Sequence, residues 1–216
     1  MDIISITLSF LIALLILAGI IEYYFHLQNL NNIPIRIHIN GTRGKSSVTR
    51  LIAAGLRGGD LRTFGKTTGT TPRIINHLGN DIEIYRLRSA SIGEQIRFIR
   101  YFAKRKPQAL VIECMAVNPQ YQWITEHKII KSTLGVITNV RPDHLDEMGS
   151  TQEDIAYSLS NTIPYNSKLV TSEKKNLKFL KEIAIKRKTI LKEADNTLID
   201  SKYLNNLPYF EHPDNV

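Results

Sequence analysis

The sequence holds one cysteine, Cys114, and one tryptophan in 216 residues. A single thiol cannot close an internal disulfide, so the chain is not built for an oxidising compartment. Lysine and arginine are missing until Arg36, and residues 3–21 carry no charge of either sign. The first absence deprives a cleaved signal peptide of its basic leading segment, and Leu17-Ala18-Gly19-Ile20 makes a poor cleavage exit. The second leaves an apolar run long enough to cross a hydrocarbon core of about 30 Å. Ser5, Thr7 and Ser9 are tolerated there because short hydroxyls bond back to the helix backbone. Tyr23, Tyr24 and Phe25 follow where an aromatic belt sits. The reading is a transmembrane anchor over residues 1–25, with a signal peptide and a buried core helix as alternatives. Because the basic residues all follow the run, the remainder is expected in the cytoplasm.

Low-complexity tracts and internal repeats are also absent. Hydrophobic residues make up 43 %, enough for a packed core. Acidic residues number 20 against 28 basic ones, a net charge of +8 that suits an anionic membrane face, an acidic substrate or nucleic acid. Aromatics are not interleaved with the basic residues as base stacking requires, which argues against nucleic acid. The lysine-dense stretch 168–192 reads as solvated helix faces, or as an attractor of a polyanionic product or anionic headgroups.

After a polar linker over residues 26–34, apolar periodicity alternates between strand and helix. Strands are predicted over residues 35–39, 82–87, 109–114, 133–140, 168–171 and 189–191; helices over 46–57, 92–106, 151–160 and 173–187. Thr151 and Asp154 stand at capping-box spacing. This rhythm predicts an α/β fold, a mostly parallel sheet covered by helices, over residues 35–216.

The strongest chemical signal is Asn40-Gly41-Thr42-Arg43-Gly44-Lys45-Ser46-Ser47, between a predicted strand and a predicted helix. Gly41 and Gly44 permit a tight turn with inward N–H groups, and the following helix adds its positive end. Lys45 can reach terminal phosphates, and the Ser46 hydroxyl can ligate Mg²⁺. The strict phosphate-loop pattern wants glycine at position 39, where Ile39 stands, so the loop is a variant. The plainer alternative is a glycine-rich turn with a surface lysine.

Two further groups end predicted strands, where parallel sheets bind ligands. Glu113 closes the apolar run 109–112; a metal or a buried cation such as arginine would satisfy it. Asn139-Val140-Arg141-Pro142-Asp143-His144-Leu145-Asp146-Glu147 follows the next strand, and His144 is a candidate for a metal or a phosphate, or merely part of a turn. Cys114 reads as a small buried hydrophobe, His38 as structural, Trp123 as helix packing and residues 125–127 as surface.

Gly41-Thr42-Arg43-Gly44-Lys45-Ser46, the strand-end Glu113 and Asn139 with His144-Leu145-Asp146 resemble, in this order, the Mur-type ATP-dependent amide ligases. The likeness extends, through the anchor, Gly65-Lys66-Thr67-Thr68-Gly69-Thr70, Glu113 to Pro119 and Thr162-Ile163-Pro164-Tyr165-Asn166, to the membrane-associated ligase subunits of poly-γ-glutamate synthases. That resemblance implies a P-loop NTPase-like topology, that of the Mur ligase central domain. It also implies ATP and Mg²⁺ as cofactors, an acyl-phosphate intermediate, and a γ-glutamyl amide product made from glutamate and a growing poly-γ-glutamate chain. Partners would be other membrane subunits of a synthase or export complex. Carried over, Asn40 to Ser47 with Thr68 and Thr70 bind nucleotide, Lys45 and His144 are catalytic, and Ser46, Glu113 and His144 hold metal.

The sequence departs from the family twice. Many relatives carry a carbamylated lysine near the position of Leu159, and no lysine lies between Lys131 and Lys168. The family's synthase chains also run well past the point matching Val216, so the ligase domain is expected to be incomplete. No domain separates the anchor from the phosphate loop, which disfavours a UDP-linked substrate. A nucleotide-binding membrane module without ligase activity, and a folylpolyglutamate-type ligase, are the competing functions.

Overall fold

The computed structural model describes residues 2–69, 71–86 and 91–195. Helix α1 (Ile3–Asn31) leads through Pro34 into β1 (Ile35–Asn40) and α2 (Lys45–Gly58). Three strands follow, β2 (Thr63–Thr67), β3 (Arg73–Ile75) and β4 (Asp81–Glu83). Then come α3 (Glu94–Ala103), β5 (Ala109–Glu113), and α4 (Pro119–Ile124), which widens into a π-helical segment, Thr125–Ile130. The described chain closes with β6 (Leu134–Ile137), α5 (Leu145–Met148), α6 (Gln152–Ser160), β7 (Lys168–Thr171), α7 (Leu177–Lys186) and β8 (Ile190–Glu193).

The strands form one sheet in the order β4-β3-β2-β5-β1-β6-β7-β8. From β2 to β8 every pairing is parallel, while β3 and β4 add an antiparallel edge. The central strands are apolar on both faces, as a doubly covered parallel sheet demands. On one face Ile37, Ile39 and Val111 pack against Val48 and Ala53 of α2. On the other, Phe64, Leu110 and Ile112 meet Ile99 and Phe102 of α3, Ile129 and Ile130 of the π-helical segment, and Leu30 of α1. Each such fully buried aliphatic side chain contributes about 1.5–3 kcal/mol. At α6 the expected capping box is present: Thr151 Oγ1 accepts from the Asp154 amide at 3.1 Å, and the Thr151 amide donates to Asp154 at 3.0 Å.

Several expectations change. The polar stretch after the apolar run is not a linker: α1 continues unbroken to Asn31. His26 and Leu30 bury against the domain, and His26 Nε2 lies 2.8 Å from the Ile129 carbonyl. Tertiary contacts thus extend a helix that polarity alone would end. Residues 2–25, by contrast, are exposed. The strand predicted over 82–87 stops at Glu83, and residue 87 lies outside the described residues. The last helix begins at Leu177 rather than at 173.

Candidate functional site

Register places the site. Ile39, one residue before the strand end, pairs with Glu113 on β5 and with Val136 on β6. The loop after β1 therefore emerges between the tips of β5 and β6, where a sheet of this topology opens a ligand crevice. Gly41 has φ +133°, and a Cβ there would lie 2.0 Å from Thr138 Oγ1. No side chain fits, so the loop backbone presses directly onto the end of β6. Gly44, at φ 78° in the left-handed region, then turns the chain into α2.

Asn139 braces this turn. Its backbone carbonyl accepts from the Thr42 amide at 3.1 Å, and its side-chain oxygen accepts from Thr42 Oγ1 at 2.7 Å and the Arg43 amide at 3.1 Å. Its amide nitrogen donates to the Arg43 carbonyl at 3.1 Å, and Thr138 Oγ1 donates to the same carbonyl at 2.7 Å. Arg43 reaches Asp143 at 3.5 Å. Asn139 was singled out in sequence only as the start of a motif; its bracing role depends on strand order, which no spacing encodes.

Glu113 is 3 % exposed and carries two neutral donors, Ser46 Oγ at 2.8 Å and the Thr68 amide at 2.9 Å. Among the described residues no ion pair reaches it, although the buried Lys66 is near enough to interact with its charge. Lys45 Nζ folds back onto the Gly41 carbonyl at 2.7 Å, with the Thr42 carbonyl at 3.4 Å. The loop thus has helix-start amides, a lysine and a hydroxyl–carboxylate pair within one turn.

The other predicted residues divide. Ser47 lies in the first turn of α2. Thr68 meets Glu113 through its backbone amide rather than its hydroxyl, and Thr70 lies outside the described residues. The Asn40 side chain turns away from the loop: it is 1 % exposed and donates to Gln122 at 2.9 Å and Thr162 at 3.1 Å. His144 follows the tip of β6, but it is exposed, in a left-handed conformation, with Asp143 4.0 Å away and no bond to Ser46 or Glu113. Among the described residues no three of His, Cys, Asp and Glu gather to hold a metal. Ser46 and Glu113 fit Mg²⁺, which prefers hard oxygens and is commonly held by one or two protein groups plus phosphate and water.

On the opposite face of the sheet lies polar chemistry that sequence reading missed. Residues 125–127, expected at the surface, include Thr125 and Glu126, both almost fully buried. Glu126 Oε2 lies 2.7 Å from His38 Nδ1, and its other oxygen accepts from the Ser132 amide and hydroxyl, each at 2.9 Å. His38 is structural, as expected. Lys66 is wholly buried, 3.7 Å from Glu94 and 4.8 Å from the centre of the Phe98 ring. Burial pushes its ammonium down to about 8 against the pull of Glu94. Cys114 is buried, as expected of a small hydrophobe.

A family model described as the Mur ligase middle domain matches residues 39–202. The capsule biosynthesis protein CapB of Bacillus anthracis is 44 % identical over 204 residues, covering 94 % of this chain and 44 % of that protein. The PGA synthase CapB of Bacillus subtilis strain 168 is 41 % identical over 206 residues, covering 94 % of this chain and 52 % of its own length. The chain thus spans about half the length of the curated relatives it matches. Among solved structures, the bifunctional folylpolyglutamate synthase/dihydrofolate synthase of Yersinia pestis CO92 superposes with a TM-score of 0.64 at 16 % identity, covering 79 % of this chain and 46 % of that one. Escherichia coli FolC, in complex with DHPP and ADP, gives 0.61 at 16 % identity over 79 % of this chain and 45 % of its own. These last likenesses establish the fold, and with the domain match and the CapB identities they show that this chain belongs to the Mur ligase family.

Proposed function

We propose that the chain supplies the ATP-binding part of a membrane-anchored ligase that joins glutamate to a growing poly-γ-glutamate chain through a γ-amide bond, in capsule polymer synthesis. The observation that carries this reading is the Ser46–Glu113 pair set one turn from the glycine-shaped loop and Lys45. The relatives named as a capsule biosynthesis protein and a PGA synthase support the substrate class. A fold neighbour holding Mn, AMPPNP and L-glutamate supports the choice of nucleotide, metal and amino acid.

In this reading the loop amides and the start of α2 hold the β- and γ-phosphates, and Lys45 leaves its carbonyl partners to meet them. Glu113 and Ser46 face a Mg²⁺ that, when bound, offsets charge on the transferring phosphoryl group. Asn139 keeps the loop in the receiving conformation before ligand arrives, so little reorganisation is needed. His144, exposed on its turn, is free to approach the acyl phosphate of the substrate. The apolar part of α1 serves as a single-pass anchor (residues 1–25), with residues 35–216 as the ATP-binding ligase domain in the cytoplasm. Partners are the remaining membrane subunits of the polymer synthase.

The test is glutamate-dependent phosphate release from ATP by membranes carrying the protein. Lys45→Ala is expected to abolish it. Polymer synthesis unchanged in Lys45→Ala would refute the reading, and ATP binding without any glutamate-stimulated release would leave only a nucleotide-binding module.

A further inference from the structure

A cleft of about 870 Å³ opens at the rim opposite the phosphate loop. It is framed by the starting ends of β1, β6, β7 and β8, through Arg36, Thr133, Lys168 and Ile190. Lys128 and Lys131, from the π-helical segment and its end, stand in its wall with Lys168 and Lys188. None of these four lysines forms an ion pair among the described residues. The one carboxylate in the lining, Glu126, is consumed by His38 and Ser132. Among the described residues the cleft therefore carries uncompensated positive charge.

Aromatic rings line it as well. Lys128 lies 5.4 Å from the Trp123 ring, and the His127 ring sits between Trp123 at 5.2 Å and Tyr165 at 4.8 Å. The position of the cleft gives this chemistry its meaning. Lys131 Nζ donates to the Tyr23 hydroxyl at 3.0 Å, and Tyr23 stands just past the uncharged run of α1. Arg100 approaches Glu22 on the same stretch at 3.9 Å. Since α1 is one continuous helix, the mouth of the cleft lies at the level where its apolar run ends.

We infer that this cleft binds the phosphodiester headgroup of an anionic membrane lipid, with Lys128, Lys131 and Lys168 on the phosphate and Trp123 and Tyr165 at the level of the glycerol backbone. The inference rests on the membrane-anchor reading above. Lysines at such a surface attract anionic lipid, and Trp and Tyr favour the same interfacial zone. The active rim then faces away from the bilayer while the opposite rim grips it.

Trp123 is the only tryptophan in the chain, so its emission reports the cleft alone. Full-length protein in a neutral maltoside detergent is titrated with dihexanoyl phosphatidylglycerol, dihexanoyl phosphatidylcholine, inorganic phosphate and a short glutamate oligomer. The expected result is a saturable change with phosphatidylglycerol, at least about tenfold weaker with each of the others. Exchanging two exposed lysines, Lys128→Gln with Lys168→Gln, is expected to weaken it roughly thirtyfold. Lys181→Gln, which breaks the Lys181–Glu193 pair elsewhere, is expected to leave it unchanged. Equal response to phosphatidylcholine, a response to phosphate matching the lipid, a preference for the oligomer, or no response overturns the proposal without needing any variant. Alkaline extraction of membranes separates this from the anchor reading. Retention of the chain alongside a failed titration defeats the lipid site alone; release defeats the anchor and, with it, the lipid assignment.

Discussion

Glu113 and Glu126 are both almost fully buried against the central sheet, 3 % and 1 % exposed, yet their surroundings differ in kind. Glu113, at the rim beside the glycine loop, receives a hydroxyl and a backbone amide, both neutral. Glu126, on the opposite face, receives an imidazole besides the Ser132 amide and hydroxyl. Burial opposes protonation of His38, but Cys114 and Glu126 beside it prevail and hold its pKa up to about 9. The raised His38 and lowered Glu126 pKa values favour the ionic pair at neutral pH. A carboxylate whose donors are all neutral keeps its charge available for an arriving cation, whereas one matched by an internal cation is committed to the fold. Burial alone does not distinguish a ligand from a structural acid; the charge of the donors does.

Four measurements would break or sharpen that contrast. Glu113→Gln should lower Mg²⁺-dependent ATP turnover with glutamate on the order of a thousandfold, about 4 kcal/mol, with little change in melting temperature. A stability loss with turnover intact would reverse the assignment. Glu126→Gln should do the opposite, costing about 3–5 kcal/mol in denaturant unfolding because the His38 cation loses its partner, while ATP affinity changes less than about threefold. Next is pH. The folded pKa of His38 is raised above its ordinary 6.5 to about 9, so its stabilising contribution is complete below pH 6.5 and is lost as pH rises through about 9. Unfolding free energy should decline over that window by up to about 3 kcal/mol, and the decline should shrink in Glu126→Gln. The smallest effect concerns two serines: Ser132→Ala should cost about 1–2 kcal/mol of stability, while Ser46→Ala should leave unfolding unchanged and weaken only Mg²⁺-dependent nucleotide binding.

The strand, glycine loop and helix around Lys45 were legible in the sequence because those parts are local. A strand, two glycines, Lys45-Ser46 and an amphipathic helix follow one another, and the structure keeps that order. The parallel strands β1, β5, β6, β7 and β8 and the Thr151–Asp154 capping box were legible for the same reason, and the strand predicted over 82–87 overlaps β4. Strands β2 and β3 were not. The segment Thr63-Phe64-Gly65-Lys66-Thr67 looks polar, yet every residue in it is buried because β5 and β3 flank it. Arg73–Ile75 is too short to show a period of two. Glu126 was misread because a charged residue in a polar-looking triplet suggests solvent, and its partner His38 lies far away in sequence on β1. The turning inward of Asn40 likewise depends on Gln122 and Thr162, which only the fold brings near.

The unbroken backbone of α1 has a mechanical meaning: length and rotation are geared together. Each residue added to the stem before His26 would lift the domain by about 1.5 Å and swing it by about 100° relative to the apolar part. One extra residue would carry Tyr23 off Lys131, while four would bring the contact almost back into phase, one turn higher. On the proposed placement, the domain is keyed to its bilayer segment like a blade to a shaft, and its azimuth in the membrane plane is written into the count of residues between Tyr23 and His26.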